Sequence, residues 1–305
     1  MSILKSILHH YNEVTQGYDV LHPETDSSQV TDWHQAVKNS VISEDIKSEL
    51  LKMILPSTAA AHNSIYRGKD LTAYWDSGEM SKAIKNGTFD DIFPGDYIIK
   101  DITVGGTKYS QQKFLVADLD YYLHRGDVEC VEHHVVIVPE KAIGTSCMNP
   151  TNTTAGGYPG SYMFKTTIPK YVTAYQSTFG TDHILKHRDW IPDAVNNDFY
   201  SGAGAGLKGS TYWTDSMWRD VTVSLMTENM VYGAPVFSSS GCDPGCCNKQ
   251  LAIFRYGQNF DRDNWFWLND VADSIYFAGA SEHGCVYCYG ASDHDGGVRP
   301  YSLLR

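Results

Sequence analysis

Five of the seven cysteines lie in two short segments whose spacing could bind a metal ion. "CDPGCC" supplies Cys242, Cys246 and Cys247, and Cys285 and Cys288 follow in C-x-x-C spacing. Four thiolates from the two segments (Cys242, Cys246, Cys285 and Cys288) would make a closed structural zinc site. Strand residues three apart point to opposite faces, however, so Cys285 and Cys288 could reach one ion only through a bulge. We favour free thiols and keep zinc as the alternative.

Histidines form three further candidate groups. In "DHILKHRD", His183 and His187 are four residues apart, which on a helix puts both on one face, but the Glu of the metalloprotease motif is missing. "EHHVV" places His133 and His134 at the start of a strand. "DHD" at 293–295 lacks the oxygen-ligand spacing of a calcium loop. We expect a polar helix face, a strand start and a solvated loop tip rather than metal sites.

Familiar catalytic motifs are absent from the sequence. It contains no G-x-S-x-G elbow, no Walker glycine-lysine loop and no strand-linked G-x-G-x-x-G. The 36 acidic residues allow a glycosidase pair of carboxylates, but none stands out. We therefore expect a protein that is not an enzyme and that has no cofactor.

The composition is that of an ordered, acidic globular protein. Of 305 residues, 42% are hydrophobic and 20% charged, and the formal net charge is −12. Scattered Lys and Arg leave no basic footprint for nucleic acid. No run of 18 apolar residues would span a membrane, and the start "MSILKSILHHYNEV" lacks the features of a secretory signal. We expect synthesis in a cytoplasm and no nucleic-acid or membrane partner.

The elements that must position these residues fall into two predicted parts, 1–60 and 61–305. In the first part, "YDVLHPETDSSQVTDW" reads as an extended arm and "SEDIKSELLKMILPS" as an amphipathic helix. An arm and one helix cannot close a core, so this part must pack on the rest of the chain or on another subunit.

The second part is predicted to be α+β with a largely antiparallel sheet. Short strands such as "HHVVIVPEKAI", "QLAIFRY", "WFWLNDV" and "CVYCYGA" are separated by turn residues, and residues 169–190 look helical with a break at Gly180. Gly296–Gly297 is predicted to form a tight turn with positive φ angles. A last strand, 298–304, should follow, which Pro300 would confine to an edge or a bulge.

A family resemblance runs from "YRGKDL" at 66–71 to the closing "GGVRPYSLL". Its landmarks, in order, are "GTFDDIFPGDY", "HHVVIVPE", "MNPTNTTAGGYPGSYM", "FGTDHILKHRDW", "LMTENMVYG", "QLAIFRY" and "WFWLNDVADSIYFA". They resemble a domain of unknown function that is widespread in Gram-positive bacteria and their phages. Its members look like C-type-lectin-fold proteins, akin to phage tropism determinants and to the sulfatase-modifying enzyme fold. Separately, "YDVLHPETDSSQV" resembles a segment of phage tail-fibre and baseplate proteins.

The resemblance implies a phage virion protein, a tail-fibre or baseplate adhesin that displays a C-type-lectin-like domain. It would bind a host cell-surface glycan or protein, attach to other virion proteins through residues 1–60 and form a homotrimer or another homo-oligomer. Alternatives are a capsid decoration or head fibre protein and a cell-wall or glycan hydrolase. Arg299 is expected to be buried and paired. The expected binding residues precede the last strand and are Glu282, His283, Tyr287, Tyr289, Asp293, His294 and Asp295.

Overall fold

The chain divides into two compact units, Met1–Ile54 and Leu55–Arg305. The computed structural model describes residues 56–191, 218–234, 236–237, 250–255, 261 and 263–305, and the backbone of 9–12 and 17–20. In the smaller unit, strands β1 (His9–Asn12) and β2 (Gly17–Val20) pair antiparallel. The rest of the predicted arm and the predicted amphipathic helix lie outside the described residues.

The described residues of the larger unit form an α+β fold in which every paired strand is antiparallel to its neighbour. The strands are β3 (Tyr97–Val104), β4 (Thr107–Leu119), β5 (Val135–Pro139), β6 (Ile184–Leu185), β7 (His187–Trp190), β8 (Trp218–Val221), β9 (Val223–Leu225), β10 (Phe266–Val271), β11 (Tyr276–Ala280), β12 (Val286–Gly290) and β13 (Pro300–Leu304). The helices are α1 (Ala59–His62), α2 (Thr72–Asp76), α3 (Glu79–Lys85), α4 (Gly157–Gly160), α5 (Ile168–Phe179), α6 (Glu228–Tyr232) and α7 (Ala252–Arg255). The boundary that we predicted after residue 60 falls within α1.

The largest sheet has six strands in the order β3-β4-β5-β13-β6, with β9 also paired to β13. Its centre is apolar because the β-branched run of β5 is buried along its whole length, as is β13. Our expectation that Pro300 confines the last strand to an edge or a bulge was wrong, because β13 is paired on both sides without a register shift. Pro300 is the first residue of β13, a position where the missing N–H is tolerated even in a central strand.

Helix α5 covers this sheet with an apolar stripe. Its buried residues recur at helical spacing, and Phe179 meets Phe114 of β4 edge to face at 5.0 Å. The helix ends at Gly180, whose φ of +94° other residues resist. The chain then continues through a single 3₁₀ turn (Thr181–His183) into β6 and β7. The helix that we predicted to resume after Gly180 is therefore absent, and the segment is extended.

The segment "QLAIFRY", which we predicted to be a strand, is not a strand in its described part. Its described part forms the short helix α7, and Ala252, Ile253 and Phe254 are all buried. A short apolar run buried on every side has no periodicity that separates strand from helix. The buried carboxylate of Asp118 accepts a hydrogen bond from Ala252 N at 2.9 Å, so a residue distant in sequence stabilises the start of this helix.

The late strands form a separate three-stranded sheet in the order β10-β11-β12. The outer side of β10 is paired, because Trp267 N donates to Gly297 O and Gly297 N donates to Trp265 O, both at 3.0 Å. Strand β12 lies at the opposite edge. Within the described ranges, no helix is long and apolar enough to cross a membrane.

Candidate functional site

Strand β12 separates the predicted binding residues by the alternation of its side chains. Tyr287 pairs with Gly279 of β11, which in turn pairs with Trp267 of β10, so these positions share one face of the small sheet. Tyr289 lies on this same face, and Cys288 lies on the other. The "CVYCYG" pattern therefore places the two predicted tyrosines on the face of the sheet that carries Trp267 of β10.

Four rings form what we call the aromatic cluster: Trp265, Trp267, Tyr287 and Tyr289. Trp265 stacks on Tyr289 with ring centroids 3.6 Å apart and planes 10° apart. Tyr287 meets Tyr289 edge to face at 5.3 Å, and Trp267 meets Trp265 in the same way at 4.7 Å. Trp267 Nε1 donates to Ser146 O at 2.7 Å, which fixes the innermost ring. Contacts on several sides thus hold Tyr289 in one position.

Two glycines make room for the cluster. A Cβ on Gly279 would lie 2.8 Å from the Tyr289 ring, and one on Gly296 would lie 2.1 Å from Trp267 Nε1. Our expectation of positive φ angles at Gly296–Gly297 was wrong, since neither glycine is in that region. Gly296 and Gly297 are instead required because neighbouring groups pack closely against their backbone. At Gly297, an added Cβ would lie 2.6 Å from the Cβ of Ala142.

The cluster has a buried base and an exposed tip. Trp267 is fully buried, Trp265 and Tyr289 are partly buried, and Tyr287 is 59% exposed, the highest value for a Tyr, Phe or Trp among the described residues. Burial, together with the nearby charge of Glu282, raises the pKa of the Tyr289 hydroxyl to about 12. At neutral pH this hydroxyl is a hydrogen-bond donor at the edge of an apolar surface.

The predicted polar residues are all at least partly exposed, but they do not form one patch. Glu282 lies near Tyr289, and its carboxylate is 3.6 Å from His283 Nε2. Asp293 lies on the opposite face of β12. Gly290 shares the face of Cys288, and a Cβ added to Gly290 would lie 3.3 Å from the Asp293 carboxylate. The charge of Glu282 thus acts on the Tyr289 hydroxyl, whereas Asp293 lies on the other side of β12. His294 and Asp295 follow in the exposed loop.

The cysteines of the zinc alternative are only partly described. Cys242 and Cys246 lie outside the described residues. Cys285 and Cys288 are free thiols, and they lie on opposite faces of the edge strand and its approach. No group of three His, Cys, Asp or Glu side chains that could hold a metal ion occurs in the described part of the chain.

His183 and His187 do not share a helix face, contrary to our prediction. His183 follows helix α5, and its Nδ1 lies 2.9 Å from Arg305 O. His187 is buried in β7, where its Nε2 lies 3.2 Å from the Tyr301 hydroxyl. Residues four apart share a face only within a helix, and Gly180 ends the helix before either histidine.

A buried polar network around Tyr301 was missed by the sequence reasoning. The Tyr301 hydroxyl donates to Asp189 Oδ2 at 2.8 Å and also lies 2.8 Å from the Tyr122 hydroxyl. Burial lowers the pKa of His187, the fourth member, to about 3, so this imidazole stays neutral. The members lie far apart in sequence, and no local motif signals their meeting. The network ties β13 to β7 and to the loop after β4.

Cys130 and His134 lie close together, yet their geometry does not activate the thiol. The imidazole of His134 accepts from Tyr122 N at Nε2 and donates from Nδ1 to Glu132 O. Nδ1 is also the nitrogen that lies 4.0 Å from Cys130 Sγ. Because it already carries a proton, it has no lone pair with which to accept the proton of the thiol. Burial raises the pKa of the Cys130 thiol to about 11, so the thiolate that catalysis requires is scarce.

Arg299 is buried, as expected, but its pairing is incomplete. Its Nε donates to Pro139 O at 2.8 Å, and its guanidinium lies 5.0 Å from the Phe266 ring. Nη1 and Nη2 are buried and make no hydrogen bond to any described residue. Burial lowers the pKa of this group to about 10. Arg299 therefore joins the start of β13 to the end of β5 and is shielded from any ligand at the surface.

Comparison of the chain with protein-family models, curated proteins and solved structures finds no match. The described residues form an α+β fold in which the aromatic cluster lies on one face of the small sheet, next to strand β12.

Proposed function

We propose that this chain is a phage virion protein, of the tail-fibre or baseplate type, whose C-type-lectin-like domain binds a glycan or protein on the host cell surface. The observation that carries the proposal is the exposed Tyr287 beside the stacked pair Tyr289 and Trp265. Residues 1–60 would attach the domain to other virion proteins, as a homotrimer or another homo-oligomer.

The aromatic cluster suits the recognition of a sugar ring or of an apolar side chain. An aromatic ring offers a broad apolar face with few rotatable bonds, so little conformational entropy is lost on binding. Contacts with Trp265 and Tyr287 already hold Tyr289 in place, which lowers that loss further. Glu282 supplies a hydrogen-bond acceptor beside the rings.

Weak single sites suffice for adsorption when many copies act together. Several domains on one particle engage a repetitive surface at once, so overall affinity exceeds that of one site by orders of magnitude. The net charge of −12 disfavours binding to phosphate-rich cell-wall polymers without a bridging cation. We therefore expect the ligand to be a neutral glycan or a protein epitope.

The test is binding of the labelled full chain to host cells and to their isolated walls. Tyr287→Ala should weaken binding at least about tenfold, as expected when an aromatic anchor at the centre of an interface is truncated. Tyr162→Ala is the matched control, since Tyr162 is also exposed, at 37%, but lies outside the aromatic cluster. Equal binding by both variants would reject the site. Binding of the wild type to virions but not to cells would favour a capsid decoration or head fibre protein.

A further inference from the structure

A cleft of about 330 Å³ is formed by helices α2 and α3, strand β3, the end of helix α5 and the turn that follows it. This volume lies at the lower end of the range for small-molecule sites, about 300–1,000 Å³. None of the residues that line the cleft belongs to the aromatic cluster or to the binding residues predicted from the sequence. The lining residues are Trp75, Asp76, Gly78, Ser81, Lys100, Thr178, Phe179 and His183.

The backbone of Arg305 fixes the orientation of the His183 imidazole in this cleft. Arg305 N donates to His183 O at 2.9 Å, and Arg305 O lies 2.9 Å from His183 Nδ1. Because a carbonyl oxygen only accepts, Nδ1 carries the proton of the neutral imidazole and Nε2 keeps its lone pair. Nε2 makes no hydrogen bond to any described residue. It is therefore the ring nitrogen that can accept a hydrogen bond from a ligand in the cleft.

Aromatic packing makes the apolar part of the cleft rigid. The Trp75 ring meets the His183 ring edge to face at 5.1 Å and the Phe179 ring at 5.9 Å. Trp75 and Phe179 are buried, so their rings hold one position whether or not the cleft is occupied. A ligand that packs on them loses little free energy to ordering of the protein.

The polar groups of the cleft carry no net charge. Its charged residues in the described part of the chain are Asp76 and Lys100, which form an ion pair with each other. The Asp76 side chain is half-exposed, so its carboxylate can accept further hydrogen bonds. The Thr178 hydroxyl makes no hydrogen bond to any described residue and can donate or accept. This balance favours a neutral ligand with several hydrogen-bonding groups over an anion or a cation.

We propose that this cleft binds one neutral monosaccharide unit. A sugar hydroxyl both donates and accepts, so one hydroxyl donates to His183 Nε2 while others bond to Thr178 and to the ion pair of Asp76 and Lys100. The C–H groups of the sugar ring pack on the apolar part of the cleft at Trp75. This site is separate from the aromatic cluster, and its existence does not depend on the proposed function.

Saturation-transfer difference NMR on the full chain tests the site, with glucose, galactose, mannose and N-acetylglucosamine as probes at millimolar concentration. At least one of these sugars should bind the wild type. His183→Asn keeps a donor near the Nδ1 position and removes the Nε2 acceptor, so it should weaken binding of that sugar about tenfold. Thr178→Val removes a hydroxyl at nearly constant shape and should weaken binding about fivefold. The matched control is Thr173→Val on the same helix, because Thr173 is exposed and lies outside the cleft.

Tyr287→Ala separates this site from the aromatic cluster. It should retain the His183-dependent binding of the sugar while it loses binding to host cells. Absence of binding by all four sugars, or equal binding by the wild type and a His183→Asn variant that circular dichroism shows to be folded, would overturn the proposal. Sugar binding that is lost in Tyr287→Ala and kept in His183→Asn would assign the sugar to the aromatic cluster, which rejects the cleft and leaves the proposed function standing.

Discussion

Replacing Gly296 by alanine would place a methyl group inside the aromatic cluster. The new Cβ would lie 2.1 Å from Trp267 Nε1 and 2.6 Å from Trp265 Cη2, so one of these rings must move. Overpacking of this kind costs about 1–3 kcal/mol. If Trp267 moves, its hydrogen bond to Ser146 O is lost and a buried donor is left unpaired, which costs about 1–3 kcal/mol more. We expect Gly296→Ala to lower the free energy of unfolding by about 2–4 kcal/mol.

The matched control is Gly68→Ala, because a Cβ there meets nothing within 4 Å and the backbone φ is not positive. This change should leave stability unchanged or raise it by up to about 1 kcal/mol. Urea unfolding followed by tryptophan fluorescence and circular dichroism measures both variants. Unfolding midpoints that agree for Gly296→Ala and Gly68→Ala would refute the inference that Gly296 makes room for the tryptophans.

Three further predictions concern buried groups. The pKa of His187 is about 3 in the folded chain and about 6.5 when unfolded, so the stability that its neutral form contributes is present above pH 6.5 and is lost as pH falls towards 3. By urea unfolding we expect the free energy of unfolding to be about 2 kcal/mol lower at pH 5 than at pH 7. The loss should be smaller in His187→Asn. Tyr301→Phe should lower the free energy of unfolding by about 1–3 kcal/mol because the buried Asp189 loses a donor, and an unchanged midpoint would contradict the network. Mass spectrometry after iodoacetamide treatment should show the exposed Cys285 modified at least about tenfold faster than Cys130, whose raised pKa suppresses its thiolate; equal rates would argue against the described burial.

Local patterns predicted the elements that carry the candidate site. The β-branched run Val135–Pro139 forms a buried strand, and the alternation in "CVYCYG" puts Tyr287 and Tyr289 on one face. Both signals depend only on neighbouring residues, because side chains on a strand alternate and β-branched residues pack well on a sheet. The α+β class with antiparallel strands followed from the same reasoning.

The partners of those tyrosines could not be predicted in the same way. Trp265 stacks on Tyr289 only because β10, β11 and β12 pair in one register, and Gly296 matters only because the last loop passes over Trp267. Register is a tertiary property that one sequence does not reveal. The same limit explains Asp293, which is close to Tyr289 along the chain but is turned to the opposite face of the strand.

The most direct test of the proposed attachment role is adsorption of phage particles that carry this chain, with the purified full chain as competitor. Wild-type protein should block adsorption to host cells in a concentration-dependent manner, Tyr162→Ala should block equally, and Tyr287→Ala should require at least about tenfold more protein. Undiminished adsorption in the presence of saturating wild-type protein would contradict host binding by this chain, and equal blocking by Tyr287→Ala would contradict the aromatic cluster as its site.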